Sequence, residues 1–370
     1  MRAYVLNAVA DIGLRQAKTP EHDGNGITSR NGQAFVPEDE CAIVKVHAAG
    51  ICGSDIPRIY KTGAYHHPLI PGHEFSGEVI SVGNSKWNIL AGKRVGIFPL
   101  IPCGKCSACK KKLYEMCRNY NYLGSRSDGG FAEYVKVPAA NLIELSENVS
   151  YEQAAMLEPI SVSMHSIRQC GLSLAPGEDE AGLNIVISGM GTIGLFTVML
   201  LRGMGYKNIF CLGNKECQKE YAAILGIPDS AYCNVKNDDP VSFVNIVTGS
   251  EGADIYFECV GKNESIGLGL NVLAGGGRLQ LVGNPASDMT FPKDEYWKIL
   301  RKQLKVTGTW NSSFTGDEDD DWHLVLNALK AGKISPEKLI SHRLAFEDLT
   351  KGFEIMRDKT EDYVKVMTLL

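Results

Sequence analysis

The chain has 370 residues, 44% of them hydrophobic and 22% charged, which is the balance of a soluble globular protein with room for two domains of ordinary size. Its net charge of −5 and the absence of a long basic block argue against nucleic-acid binding, and no run approaches the ~20 apolar residues of a membrane span. Eleven cysteines and no apolar leader in MRAYVLNAVA point to free thiols in a reducing cytoplasm.

Residues 1 to about 160 are expected to be β-rich, since short alternating runs such as Ala42–Val46 and Gly77–Val82 are broken by Gly and Pro turns. The polar, glycine-rich stretch His22 to Glu40 is expected to be a surface loop. Pro102 to Cys117 then carries Cys103, Cys106, Cys109 and Cys117 in a C-x2-C-x2-C-x7-C run. Four thiolates complete the tetrahedral sphere of one zinc ion and leave no position for a substrate, so this cluster is read as a structural clamp. Its last gap is longer than that of the bacterial ferredoxin run, which speaks against an iron–sulfur centre. The run Lys110-Lys111-Lys112 beside it offsets thiolate charge or is simply a solvated surface. A sparser set lies outside the clamp, at Cys52, His73, Glu74 and Glu158: one thiolate, one imidazole and one carboxylate from it make three ligands with room for a fourth, the form of a catalytic zinc. Spacing alone does not join residues about a hundred positions apart.

From about residue 163 strands alternate with helices, which implies a parallel sheet with crossover connections. Strands are expected at Asn184–Ser188, Asn208–Leu212, Asp254–Cys259, Arg278–Val282 and Lys305–Thr309, and a helix at Leu195–Met204. Gly189-Met190-Gly191-Thr192-Ile193-Gly194 is G-x-G-x-x-G placed between a strand and a helix. There the glycines permit a tight turn and a close backbone approach to a pyrophosphate, which meets the free N–H groups of the helix start. Gly189, Gly191, Thr192, Ile193 and Gly194 are thus the candidate dinucleotide residues. The tail from Trp322 has helix-like stretches and ends in VKVMTLL, which can pair back onto the first domain.

In order along the chain, G-I-C-G-S-D, G-H-E-F-S-G, the four-cysteine lobe, D-G-G-F-A-E-Y, L-E-P-I-S-V and G-M-G-T-I-G resemble the zinc-dependent medium-chain dehydrogenases over nearly the whole length. The stretches Cys52–Tyr65, Gly124–Tyr134 and Ile299–Trp310 look most like the branch acting on galactitol phosphate. The resemblance implies an α/β protein in which a GroES-like catalytic domain carries an inserted Rossmann domain. It places the catalytic part at 1–162 with a zinc lobe at about 99–122, the Rossmann part at 163–310, and a returning C-terminal part at 311–370. It also implies one catalytic zinc on Cys52, His73 and Glu158, with Glu74 as a direct ligand or its partner, and one structural zinc on the four cysteines. Ser54 becomes the first proton acceptor; a relay histidine of alcohol dehydrogenases is replaced by Pro57.

The implied reaction is hydride transfer between a secondary alcohol of a polyol phosphate and a nicotinamide cofactor. Unphosphorylated polyols or L-threonine are alternative substrates, and a zinc-free NADPH-binding reductase is a remoter alternative. Arg58 and Arg126, with Lys61 behind them, are candidates for a substrate phosphate, and Trp310 for the substrate pocket. Where the nearest branch has an aspartate after the second Rossmann strand, this chain has Gly213, followed by Asn214 and Lys215. Losing that carboxylate and gaining a cation favours NADP over NAD, with Glu216 as the feature against it. A homodimer or homotetramer is expected from the family, with a small molecule as the only other partner.

Overall fold

The computed structural model describes residues 1–28, 34–285 and 287–370. The chain divides into two units. One comprises Met1–Glu158, Ser313–Ala331 and Pro336–Leu370; the other comprises Pro159–Ser312 and Gly332–Ser335. The helix Leu157–Gln169 begins in the first and continues in the second, so the division falls inside a helix.

The first unit is built on a seven-stranded sheet. Its strands run in the order Leu142–Glu144, Arg94–Ile97, Glu74–Val82, Cys41–Ile51, Lys365–Leu369 and Ile340–Ala345, with Tyr134–Pro138 added to Cys41–Ile51. Cys41–Ile51 is the hub. It pairs antiparallel with three strands, and Val44, Val46 and Ala49 are buried in one cluster with Phe75, Val79 and Val137. Each such side chain taken from water stabilises the fold by roughly 1.5–3 kcal/mol if of Val or Phe size. The tail does return: Val366 faces Ile51 and Leu369 faces Ala48. Two ladder positions matter for chemistry, because Gly50 faces Glu74 on one side of the hub while Met367 faces it on the other. The end of the hub strand therefore meets the start of Glu74–Val82 and the start of Lys365–Leu369.

The stretch expected to be a loop at His22 to Glu40 contains a short antiparallel pair, Ile27–Thr28 with Ala34–Val36. Burial explains it, since Ile27 and Val36 both belong to the core. Residues 29–33 of that stretch lie outside the described residues.

In the second unit six parallel strands run in the order Tyr232–Asn234, Ile209–Gly213, Ile185–Ser188, Ala253–Glu258, Leu273–Leu281 and Lys305–Gly308. This is the doubly wound order, with the first strand of the unit at the centre and the direction of winding reversing beside it. The five expected strands are present to within a few residues. Tyr232–Asn234, the third in chain order, is additional. No helix among the described residues is long and apolar enough to cross a membrane.

Candidate metal centres and dinucleotide turn

The four-cysteine lobe hangs from a short strand pair, Leu100–Ile101 with Asn121–Tyr122. Between those strands the buried apolar residues are Cys109 and Cys117 alone, so the lobe has no hydrocarbon core of its own. The sulfurs stand 3.5 Å (Cys106–Cys109), 3.9 Å (Cys103–Cys109) and 3.9 Å (Cys106–Cys117) apart. A tetrahedron with metal–sulfur bonds of ~2.3 Å has edges of about 3.75 Å. A disulfide would need about 2.05 Å, and all four cysteines are free. The electrostatics fit the same reading. Backbone N–H groups of Cys109 and Arg118 draw the Cys106 thiol down to about 6, whereas burial and neighbouring sulfurs push Cys109 up to about 12. Four sulfurs at this spacing fit the coordination sphere of one zinc ion, which would hold all four as thiolates. Lys110, Lys111 and Lys112 are exposed, and Lys112 pairs with Asp317 at 2.6 Å.

The second cluster forms where the hub strand ends. Cys52 follows Ile51 directly, and His73 immediately precedes the neighbouring strand, which Glu74 opens. One ligand atom from each of Cys52, His73 and Glu74 lies within 4.8 Å of the others, with His73 and Glu74 buried. Glu158 falls outside that tight set but belongs to its surroundings. Burial raises its carboxyl to about 7, with Glu74's charge adding to the rise while His73 opposes it. The Tyr122 hydroxyl donates to Glu158 Oε1 at 3.0 Å, and the Tyr122 ring meets that of His73 edge-on at 5.8 Å.

Three residues without an assigned role in the sequence organise this cluster. Asp55, fully buried, accepts the backbone N–H of Cys52 at 3.0 Å and Nη1 of Arg58 at 2.6 Å, and its Oδ1 stands 3.4 Å from Nδ1 of His73. With Nδ1 turned to Asp55, Nε2 is the nitrogen left for a cation. Lys365, 2% exposed, donates to Glu74 Oε2 and to the carbonyl of Ile51 at 3.1 Å. Tyr122 is the third. Asp55 lies inside the G-I-C-G-S-D stretch and so was open to sequence reasoning; Lys365 and Tyr122 become visible only through strand pairing.

Burial opposes a charge on His73, yet Asp55 and Cys52 outweigh it and raise the His73 pKa well above 6.5. The cluster thus draws positive charge even with Lys365 and Arg58 already in place. That donor set, one thiolate, one imidazole and carboxylates around a buried deficit of positive charge, fits a divalent cation of the zinc class.

Ser54 donates its hydroxyl to Cys52 Sγ at 3.3 Å, beside the cluster. Arg58 is engaged by Asp55. Arg126 lies between the rings of Tyr65 and Tyr120, 4.6 and 4.0 Å from their centroids, with Nη1 donating to the Tyr120 carbonyl at 2.8 Å. Its buried Nε has no hydrogen-bond partner. Rings link it to the metal cluster, since Tyr120 meets Tyr122 at 6.1 Å. A cavity of about 660 Å³ lined by His66, Arg126 and Asp128 opens nearby, but none of Cys52, His73, Glu74 and Glu158 lines it. Lys61 is exposed in the segment after Arg58, and Trp310, 57% exposed, lies on the second unit.

On that second unit Ile185–Ser188 leads through Gly189 into the helix Thr192–Met204. Gly189 has φ +97°, and a Cβ there would meet Val260 and the Cys259 carbonyl at about 3 Å. A Cβ at Gly194 would lie 2.0 Å from the Gly189 carbonyl oxygen, which explains the third glycine by helix–turn packing. At Gly191, the residue capping the helix, a Cβ would meet nothing within 4 Å. The helix start is therefore open to an anion, and its first N–H groups are available to pyrophosphate. At the end of the next strand, Gly213 packs under the Tyr232 ring, Asn214 N donates to Gln218 Oε1 at 2.9 Å, and Tyr232 donates to the Lys215 carbonyl at 2.9 Å.

Known sequences and structures agree with this arrangement. Residues 38–147 match the alcohol dehydrogenase GroES-like domain and 192–331 the zinc-binding dehydrogenase domain. A galactitol 1-phosphate 5-dehydrogenase of Escherichia coli K12 is 32% identical over 339 residues, 90% of this chain and 95% of that protein. An L-threonine 3-dehydrogenase of Bacillus licheniformis is also 32% identical, over 85% of this chain and 88% of its own. The crystal structure of galactitol-1-phosphate dehydrogenase from E. coli covers all of both chains at 28% identity with a TM-score of 0.86. A zinc-binding dehydrogenase from Sinorhizobium meliloti 1021 bound to NADP covers 100% of this chain and 99% of its own at 25% identity, TM-score 0.84.

Proposed function

The chain belongs to the zinc-dependent medium-chain alcohol dehydrogenase family, and from that membership we propose that it oxidises a secondary alcohol of a polyol phosphate to a ketose phosphate with NADP. The observation that carries the proposal is the pairing of two distinct donor sets on one unit: four sulfurs placed to close a tetrahedral sphere, and the three donors Cys52, His73 and Glu74, one short of a tetrahedral sphere, with Glu158 at their edge.

In the proposed reaction, bound zinc would supply the Lewis acidity that makes the alcohol an easy proton donor, and NADP would supply the hydride acceptor. The protein's part is orientation and proton movement. Asp55 accepts the backbone N–H of Cys52 and faces His73 Nδ1 at 3.4 Å, a charge contact without a hydrogen bond, so it steadies the first donor and biases the aim of the second. Lys365 holds Glu74 and offsets its charge. Ser54 Oγ, 3.3 Å from Cys52 Sγ, would relay the hydroxyl proton of the substrate, accepting it only as its own proton leaves. Pro57 removes the histidine that ends this relay in alcohol dehydrogenases, so Ser54 passes its proton to a group other than residue 57.

Arg126 is the phosphate-binding candidate the geometry favours. Its guanidinium is preorganised between two rings, one of which leads to Tyr122 and the metal cluster, and Nε lacks a partner. Arg58 is committed to Asp55, which makes it a positioning residue. For the cofactor, Gly213 in place of an acid, with Asn214 and Lys215 beside it, supports NADP, as does the NADP-bound structural relative.

The test is a panel of hexitols and pentitols with and without phosphate, together with L-threonine, run with both cofactors. The proposal expects the best kcat/KM for a polyol phosphate and a loss of that preference in Arg126→Ala, since truncating one partner of a desolvated charge pair costs about 2–5 kcal/mol. A superior kcat/KM for sorbitol or L-threonine would overturn the substrate.

A further inference from the structure

The strand end that carries the cofactor reading holds one more residue. Gly213 and Cys211 face the same side of the sheet, two positions apart. Tyr232 pairs with Cys211 on the neighbouring strand, so its ring leans across Gly213. A Cβ built on Gly213 would lie 2.1 Å from the Tyr232 hydroxyl oxygen and 2.8 Å from the ring carbon that bears it. Gln218 Oε1 would stand at 2.8 Å, but it ends a flexible side chain. Tyr232 has less freedom: it is 8% exposed, and its hydroxyl is held by the Lys215 carbonyl. Gly213 has no positive φ, so conformation does not demand glycine here; the neighbouring phenol does.

We propose that Tyr232 is a specificity-determining residue for the cofactor, because it denies the strand end the side chain that would recognise the ribose hydroxyls of NAD and fixes the Asn214–Lys215 turn in their place. The inference rests on the NADP reading and gives it a cause: glycine at 213 and tyrosine at 232 form one coupled pair. An acid introduced at 213 alone has nowhere to go, so a switch of cofactor needs both positions changed.

The experiment uses the full chain in four forms: parent, Gly213→Asp, Tyr232→Ala, and both together. Dissociation constants for NADPH and NADH come from fluorescence titration, and melting temperatures from the same samples. Gly213→Asp alone is expected to melt lower and to gain no NADH affinity. The double variant should bind NADH about tenfold more tightly than either single variant, the worth of one charge-assisted hydrogen bond. If Gly213→Asp does not fold, the comparison of the double variant with Tyr232→Ala decides. A Gly213→Asp protein that melts like the parent and gains NADH affinity unaided overturns the coupling, as does a double variant with no gain over Tyr232→Ala. A parent that prefers NADH would instead remove the NADP reading, while the coupling would still be measured by the variants.

Discussion

Lys365 and Glu74 form an ion pair with both side chains 2% exposed, joining the last strand of the chain to the residue that follows His73. Among the described residues it ties together segments 291 positions apart. Removing the lysine would leave Glu74 buried beside Glu158 with less positive charge to offset either. Lys365→Met should therefore destabilise the fold by about 3–5 kcal/mol, the usual cost of stranding one buried charge. Adding Glu74→Gln should recover a substantial part of that loss. Urea unfolding of the two variants and the parent, each with metal and with chelator, reads both effects; a Lys365→Met protein as stable as the parent would remove the pair from the supports of the site.

The two cysteine sets should separate cleanly. Cys106→Ser removes one of the four proposed ligands of the lobe, so it should lower the melting temperature and cut bound zinc from the proposed two per chain to one. Cys52→Ser should also lose one zinc, yet melt near the parent, bind cofactor and turn over poorly. Zinc analysis beside calorimetry checks this. Equal melting temperatures for Cys106→Ser and the parent would sink the clamp assignment.

Tyr122 offers a finer test. Its hydroxyl reaches Glu158 at 3.0 Å in a buried setting. Tyr122→Phe keeps the ring beside His73 and deletes that one bond. Partners of this kind typically carry about 10–100-fold in metal affinity or activity. The variant should show a weaker zinc affinity at one of two sites in chelator competition, with its melting temperature under chelator unchanged. An unaltered affinity would place Glu158 outside the metal's reach.

What could be read from the sequence followed the range of the interaction. The four sulfurs and G-x-G-x-x-G act within one short segment, so spacing carried their chemistry. Cys52, His73 and Glu158 were joined through family resemblance, because no local pattern spans Cys52 to Glu158. Lys365 was read only as part of a returning strand; its role depends on the register that sets Gly50 opposite both Glu74 and Met367. Asp55 lay in a quoted motif, but its burial and its three partners are tertiary facts. Tyr232 was missed because Tyr232–Asn234 is a three-residue strand, too short to show a period, and its contact with Gly213 crosses strands.

Metal removal gives the last prediction. The lobe's four cysteines would surround a bound cation completely, and the segment between Ile101 and Asn121 buries little else that could hold it. The Cys52 set, in the proposed reaction, keeps one position of its cation for the substrate. A mild chelator should reach the open site first. Activity should fall while the melting temperature barely moves, and added zinc should restore turnover. A thiol-directed mercurial, which competes for sulfur, should then release the second zinc and unfold the lobe. Limited proteolysis should follow that step with new cleavage among Lys105, Lys110, Lys111 and Lys112, all exposed or partly exposed on the lobe. Zinc release, activity and cleavage measured on one sample set the order. If cleavage in the lobe precedes the loss of activity, or if both zinc ions leave together under mild chelation, the division of labour between the two sites is wrong.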